Sequence, residues 1–143
     1  MYLKGQGVPR DYARAMLLFR QAAAQGFAGG QSGLGLMYAN GYGVTRDDAQ
    51  AVSWYRKALL QADALALYNL AFMYVDGRGV SQDLTVAFAL FANLGFHEDQ
   101  DRDFNLKIHF ATRILQRRMT SAQVDAGWSL SRQMQKDGVL VRI

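Results

Sequence analysis

Displaced by 36 residues, the sequence matches itself, and this period limits the fold more than any other feature. Met1-Tyr2 returns as Met37-Tyr38 and Met73-Tyr74. Gly5-Gln6-Gly7-Val8 returns as Gly41-Tyr42-Gly43-Val44 and Gly77-Arg78-Gly79-Val80. Asp11, Asp47 and Asp83 follow at the same spacing. A period in this range means one supersecondary unit stacked on copies of itself, because a single unit cannot hide its own apolar face.

The unit reads as two helices. Ala15, Leu18, Phe19 and Ala22 recur as Ala51, Trp54, Tyr55 and Ala58, then as Ala87, Leu90, Phe91 and Leu94. That spacing is i, i+3, i+4, i+7, the inward stripe of an amphipathic helix. A second helical stripe precedes each glycine pair: Leu34, Met37 and Tyr38, then Leu70, Met73 and Tyr74. Each unit is therefore helix A, a Gly-x-Gly-Val turn and helix B. The glycines permit a tight reversal. The valine plugs the space between the helices. The recurring Asp is expected to cap helix B, accepting hydrogen bonds from free backbone N–H groups. Gly26 and Gly95 are expected to end helix B in the left-handed conformation.

These residues resemble the Sel-one-like repeat (SLR) family, a 36-residue relative of the tetratricopeptide repeat. Leu34-Gly35-Leu36-Met37-Tyr38-Ala39-Asn40-Gly41-Tyr42-Gly43-Val44 and Trp54-Tyr55-Arg56-Lys57-Ala58 carry the resemblance most fully. Leu70-Ala71-Phe72-Met73-Tyr74 with Gly77-Arg78-Gly79-Val80 carries it nearly as well, with Ala71 for glycine and Leu90-Phe91 for Trp-Tyr. The resemblance implies an all-α, right-handed solenoid of antiparallel helix pairs. The expected arrangement is a partial repeat at 1–26, full repeats at 27–62 and 63–98, and a capping helix pair at 99–143. Since the first unit lacks most of helix A, the chain is expected to be a fragment of a longer array.

In the closing pair, Leu106 and Phe110 lie 36 after Leu70 and Tyr74, which predicts a helix A over about 100–117. No glycine pair follows. Met119-Thr120-Ser121-Ala122-Gln123 instead reads as a turn with a Thr or Ser cap, opening a helix that runs to about Lys136. Arg113, Gln116, Arg117, Arg132, Gln133 and Lys136 would give this end the polar face a solenoid terminus needs. The last residues, from Gly138, are expected to fray.

Composition removes several chemistries. There are 14 Gly, one Pro and no Cys, so no disulfide, thiolate metal site or Cys nucleophile exists. His97 and His109 lack the spacing of a zinc helix. The Gly-x-Gly pairs follow no strand and carry no P-loop lysine, so they read as turns and not phosphate loops. Asp99-Gln100-Asp101-Arg102-Asp103 lacks the glycine and glutamate of a calcium loop, which would fall at Phe104 and Phe110. Acids in a helix's first turn explain that run better. His109, at the place of Met37 and Met73, is expected at a helix–helix contact with a hydrogen-bond partner. No cofactor, metal site or catalytic triad is expected.

The net charge of +4 is spread evenly, which argues against nucleic acid as the partner. No apolar run is long enough to span a bilayer. The chain is expected to be soluble, in the cytoplasm or, with an upstream signal sequence, the periplasm.

In repeats of this kind helix A lines the concave face, and function would lie in columns off the buried stripe. The candidate partner-binding residues are Ser32, Leu36, Asn40, Leu65, Tyr68, Phe72, Asp76, Phe104 and Ile108. Leu36, Phe72 and Ile108 would form one apolar column, with Leu65, Tyr68 and Phe104 beside it. Such a row marks a partner groove if the face is open, and core if curvature or a neighbouring repeat buries it. The resemblance implies a non-enzymatic bacterial scaffold that binds a protein or peptide. The alternative is a binder of a small-molecule, peptidoglycan-like or polyanionic ligand, the last through Arg113, Arg117, Arg118 and Arg132.

Overall fold

The computed structural model describes residues 9–94 and 102–138, with side chains from Asp11 onward. The Gly5–Val8 turn, Gly95, His97, the run from Asp99 to Asp101 and the tail beyond Gly138 lie outside the described residues. Among the described residues there are seven helices and no strand. They fall into two compact units. The first takes the described residues up to Ala66 together with Arg78–Val80, and the second takes Leu67–Gly77 and the residues from Ser81 on.

In the first unit α2 (Ala28–Asn40) packs against both α1 (Pro9–Ala24) and α3 (Asp48–Leu59). Ala15, Met16, Leu34 and Met37 form a core cluster, with Phe19, Tyr38, Val44 and Trp54 packed on it. Helix α2 is rich in glycine, which ordinarily costs about 1 kcal/mol per residue relative to alanine. Its neighbours explain the choice. A methyl placed on Gly33 would meet the Phe19 ring of α1 at 2.5 Å, and one on Gly35 would meet the Tyr55 ring of α3 at 2.6 Å. Glycine lets both flanking helices lay an aromatic ring directly on the α2 backbone. Burial pushes the Tyr55 phenol up, so it stays neutral.

The turns follow the repeat logic. Gly41, Gly43, Gly77 and Gly79 all take positive φ, between 67° and 70°. Gly41 ends α2 in the left-handed conformation with its N–H on the Met37 carbonyl. Asp47 then caps α3, its carboxylate accepting from Gln50 N–H at 3.1 Å. Asp83 repeats the cap on Val86 N–H at 3.1 Å. Both aspartates also tie their own N–H back to helix A, to Tyr38 O at 2.9 Å and Tyr74 O at 3.0 Å. Removing the cap oxygen in Asp47→Ala is expected to cost about 1 kcal/mol, read as a shift in urea midpoint. An unchanged midpoint would show that water replaces it fully. Gly26, with φ +81°, turns the chain after α1 as expected.

One contact recurs that the sequence pattern does not show. In both described Gly-x-Gly turns the middle residue touches the residue directly after the repeating Asp position of the preceding unit. Tyr42 stacks on Tyr12, ring centroids 4.6 Å apart and planes within 5°. Thirty-six residues on, Arg78 pairs with Asp48 at 2.8 Å and also donates to the Ala39 carbonyl. Arg46 joins Asp48 from the other side at 3.2 Å. Hydrogen bonds from Arg78 first, then Arg46, hold the Asp48 carboxyl below its ordinary value of 3.8. A carboxylate lowered on folding stabilises above its unfolded value, and that stability is lost as pH falls through the folded one. Arg78→Gln is therefore expected to be less stable than the parent near neutral pH, with the gap in urea midpoint narrowing below about pH 4. A gap independent of pH would exclude the ion pair as its source.

In the second unit α5 (Leu84–Leu94) is buried on every side from Ala87 to Leu94. It packs against α6 (Arg102–Arg118) and α7 (Ser121–Asp137). A helix apolar all round belongs inside a core. Phe88 meets Trp128 edge-on at 5.1 Å, and Gly127 gives its ring room: a methyl there would lie 2.6 Å from it. The buried Asn93 amide donates to the Ser131 carbonyl at 3.2 Å. Thr120 caps α7 as the sequence suggests. Its hydroxyl accepts from Gln123 N–H at 3.1 Å, while the Gln123 side chain accepts from Thr120 N–H at 2.9 Å. Of the residues expected to give this end a polar face, Arg113, Gln116, Arg117, Arg132 and Lys136 are exposed and Gln133 is half-buried.

Four expectations are corrected. Helix α1 opens at Pro9, so Asp11 sits in its first turn and does not cap it. Proline's fixed φ suits the first helical position. Leu18 is 50% exposed, because the face of α1 that carries it has no described neighbour, and Met16 is buried instead. Helix α6 forms where predicted, but its buried residues are Ile108 and Leu115. Leu106 and Phe110 are 60% and 68% exposed, and His109 is exposed rather than held at a helix contact. The cause is charge. The 36-residue register, continued along α6 from Leu106 and Phe110, would place Arg113 and Arg117 in the core. Burying them unpaired costs far more than exposing a phenylalanine. The stripe Phe104, Ile108, Ala111, Leu115 has no charge in it, and the helix turns to bury that one.

Candidate partner-binding groove

The rotation of α6 leaves an apolar groove in the second unit. Its walls are Tyr68, Phe72 and Val75 from α4 (Ala64–Asp76) and Phe110, Ala111 and Ile114 from α6. Phe91 of α5 lies at its floor, and the free volume is about 260 Å³. The spacing of each helix sets its wall: Tyr68, Phe72 and Val75 fall at i, i+4, i+7, as do Lys107, Ala111 and Ile114.

The rings are fixed by one another. Tyr68 meets Phe72 edge-on at 5.0 Å and Phe91 edge-on at 5.9 Å, and Phe104 at a 50° tilt at 5.3 Å. Phe72 meets Phe91 edge-on at 5.2 Å. Edge-to-face clusters of this kind hold their geometry without a ligand. The open side stays apolar, with Phe72 37%, Ile114 43% and Phe110 68% exposed. Lys107 and Arg118 also line the groove. On the far side of α6 a second cavity of about 320 Å³ is lined by Ala92, Ile108, His109, Thr112, Arg113 and Trp128, among others.

The structure brings together only some of the sequence-predicted residues. Tyr68, Phe72 and Phe104 form one aromatic cluster. Ile108 is 3% exposed and Ser32 2% exposed, so neither offers a surface to a partner. Ile108 is buried by the turn of α6 described above. Ser32 is buried on α2 with its hydroxyl directed to the Gly29 carbonyl at 3.4 Å. Leu36 is half-buried and Asn40 exposed, both in the first unit, and the Asn40 amide folds back on the Leu36 carbonyl at 2.9 Å. Leu65 is 45% exposed and also belongs to the first unit. Asp76 is exposed and does not line the groove. Sequence reasoning did not place Lys107, Phe110 and Ile114 on this groove, and it named Arg118 only as a contact for a polyanion, because the repeat register assigns Phe110 to the core. The signal was the position of Arg113 and Arg117, which forbids that register.

Among the described residues no helix is long and apolar enough to cross a membrane. The chain matches the Sel1 repeat over residues 1–27, 28–63 and 64–92. No curated protein matches it. One similar solved structure is that of c5321, a protective antigen present in uropathogenic Escherichia coli strains and displaying an SLR fold. It is 30% identical with a TM-score of 0.76, over 89% of this chain and 26% of that one. Another is a Sel1 repeat protein from Oxalobacter formigenes, 34% identical with a TM-score of 0.53, over 59% of this chain and 35% of that one. The chain thus spans about a quarter of the first of these proteins and a third of the second. Sel1 repeats are helical scaffolds that generally mediate protein interactions. Three successive units, their glycine turns and the solved structures they match place this chain in the Sel1 repeat family.

Proposed function

We propose that the chain is a non-catalytic interaction scaffold that holds a protein or peptide in the groove between α4 and α6. One observation carries this reading. Phe72, Phe110 and Ile114 stand open on a groove whose floor is already rigid with packed rings. Exposed large side chains scattered singly are ordinary, but a contiguous concave set over a preformed floor is what a partner's apolar anchors need. Its polar side chains are Tyr68, Lys107 and Arg118, and its lining is otherwise apolar, which supports binding as its role.

The test is a peptide library selected against the chain. Selected peptides are expected to lose at least tenfold in affinity on Phe110→Ser, since truncating a central aromatic anchor commonly removes more than about 1.4 kcal/mol. Phe110 is 68% exposed, so the melting temperature should stay within a degree or two. Peptides that bind the variant as tightly as the parent would overturn the groove as the binding site.

A further inference from the structure

We infer that the occupant of the α4/α6 groove is a short amphipathic helix carrying carboxylates at both ends of an apolar ridge. This rests on the groove reading above and adds the chemistry of the partner. The cations lining the groove are Lys107 and Arg118, and they are eleven residues apart on α6. Eleven residues make about three helical turns and about 16 Å, returning almost to the same face. Between them the α6 wall is Phe110, Ala111, Ile114 and Leu115, with no polar side chain. The groove is therefore apolar along its length and positive at each end.

A helix laid in it would place anchors at i, i+3 or i+4, and i+7 between Tyr68, Phe72 and Phe110. Its carboxylates would sit about eleven residues apart, opposite Lys107 and Arg118. Both cations are exposed, and among the described residues neither pairs with a carboxylate. From residue 97 onward the sequence holds eight Lys and Arg against six Asp and Glu, so the preference for carboxylates rests on Lys107 and Arg118 themselves and not on a wider field.

The test uses a library of three-turn helical peptides with a fixed Leu and Phe ridge and randomised residues at both flanks. Against the intact chain, Asp and Glu are expected to be enriched at both flanks. Replacing a selected flank pair by Gln should weaken binding about fivefold, with the difference shrinking as salt rises. The double variant K107E/R118E should reverse the enrichment to Lys and Arg. Flanks that emerge neutral or basic, from a selection that Phe110→Ser abolishes, overturn the acidic partner while leaving the groove. A selection that yields no binder, or is indifferent to Phe110→Ser, overturns both.

Discussion

Phe88→Ala is expected to destabilise the second unit by about 4 kcal/mol. Phe88 is fully buried, and its ring lies against Trp128 and the bare backbone of Gly127 on α7. Removing the ring takes away the area it buries and leaves a hole that α5 and α7 cannot close. Gly127 has no side chain to move inward, and α5 is hemmed in by buried neighbours along the same stretch. The cost should therefore lie toward the upper end for such a change. Trp128 provides the readout, because it touches the deleted ring. In a Trp54→Phe background its emission follows the second unit alone, and urea titration gives the stability. A loss below about 1.5 kcal/mol would mean that the helices collapse onto the gap and that the packing is looser than described.

Gly79→Ala is expected to cost about 3 kcal/mol in the first unit, and the comparison that isolates its cause is Gly26→Ala at about 1 kcal/mol. Both glycines have positive φ, +69° and +81°, so both alanines pay the same conformational penalty. They differ in what a methyl would meet. At Gly26 there is nothing within 4 Å, whereas at Gly79 the Asp48 carbonyl oxygen lies at 2.6 Å and its carbon at 2.8 Å. Those atoms are main chain in α3 and cannot rotate away. Gly43 stands in the same place one unit earlier and meets the Tyr12 backbone at 3.2 Å, so Gly43→Ala should fall between the two. Urea midpoints followed through Trp54 would rank the three. Equal losses at Gly26 and Gly79 would show that strain alone matters and that close approach does not.

Much of this was legible in the sequence because the repeat states the same contact several times. The glycine turns, the Asp47 and Asp83 caps and the α5 core could each be checked against a copy 36 residues away. Thr120 was legible for a different reason, since a capping box is local and needs no tertiary context. Legibility ended where the copies ended. Helix α6 keeps the length of a helix A but not its face, because Arg113 and Arg117 occupy the old register. Only weighing charge against repetition would have moved Phe110 outward and Ile108 inward. The groove was half visible: Tyr68, Phe72 and Phe104 lay in the right column, but the wall that closes it comes from the rotated helix. Ser32 misled because a small polar side chain on a helix face looks exposed until neighbouring backbones, drawn in by glycine, cover it.

The contact between each turn and the preceding helix pair has an implication for how such arrays keep their order. Tyr42 on Tyr12 and Arg78 on Asp48 occupy equivalent places but speak different chemistry, one a stack of rings and the other an ion pair. Units that are nearly interchangeable in their cores are thereby made particular about whom they follow. Joined out of turn, a ring would face a carboxylate and a guanidinium would lose its anion. Duplication makes repeats cheaply alike, and a single divergent residue in each turn is enough to give every junction its own lock.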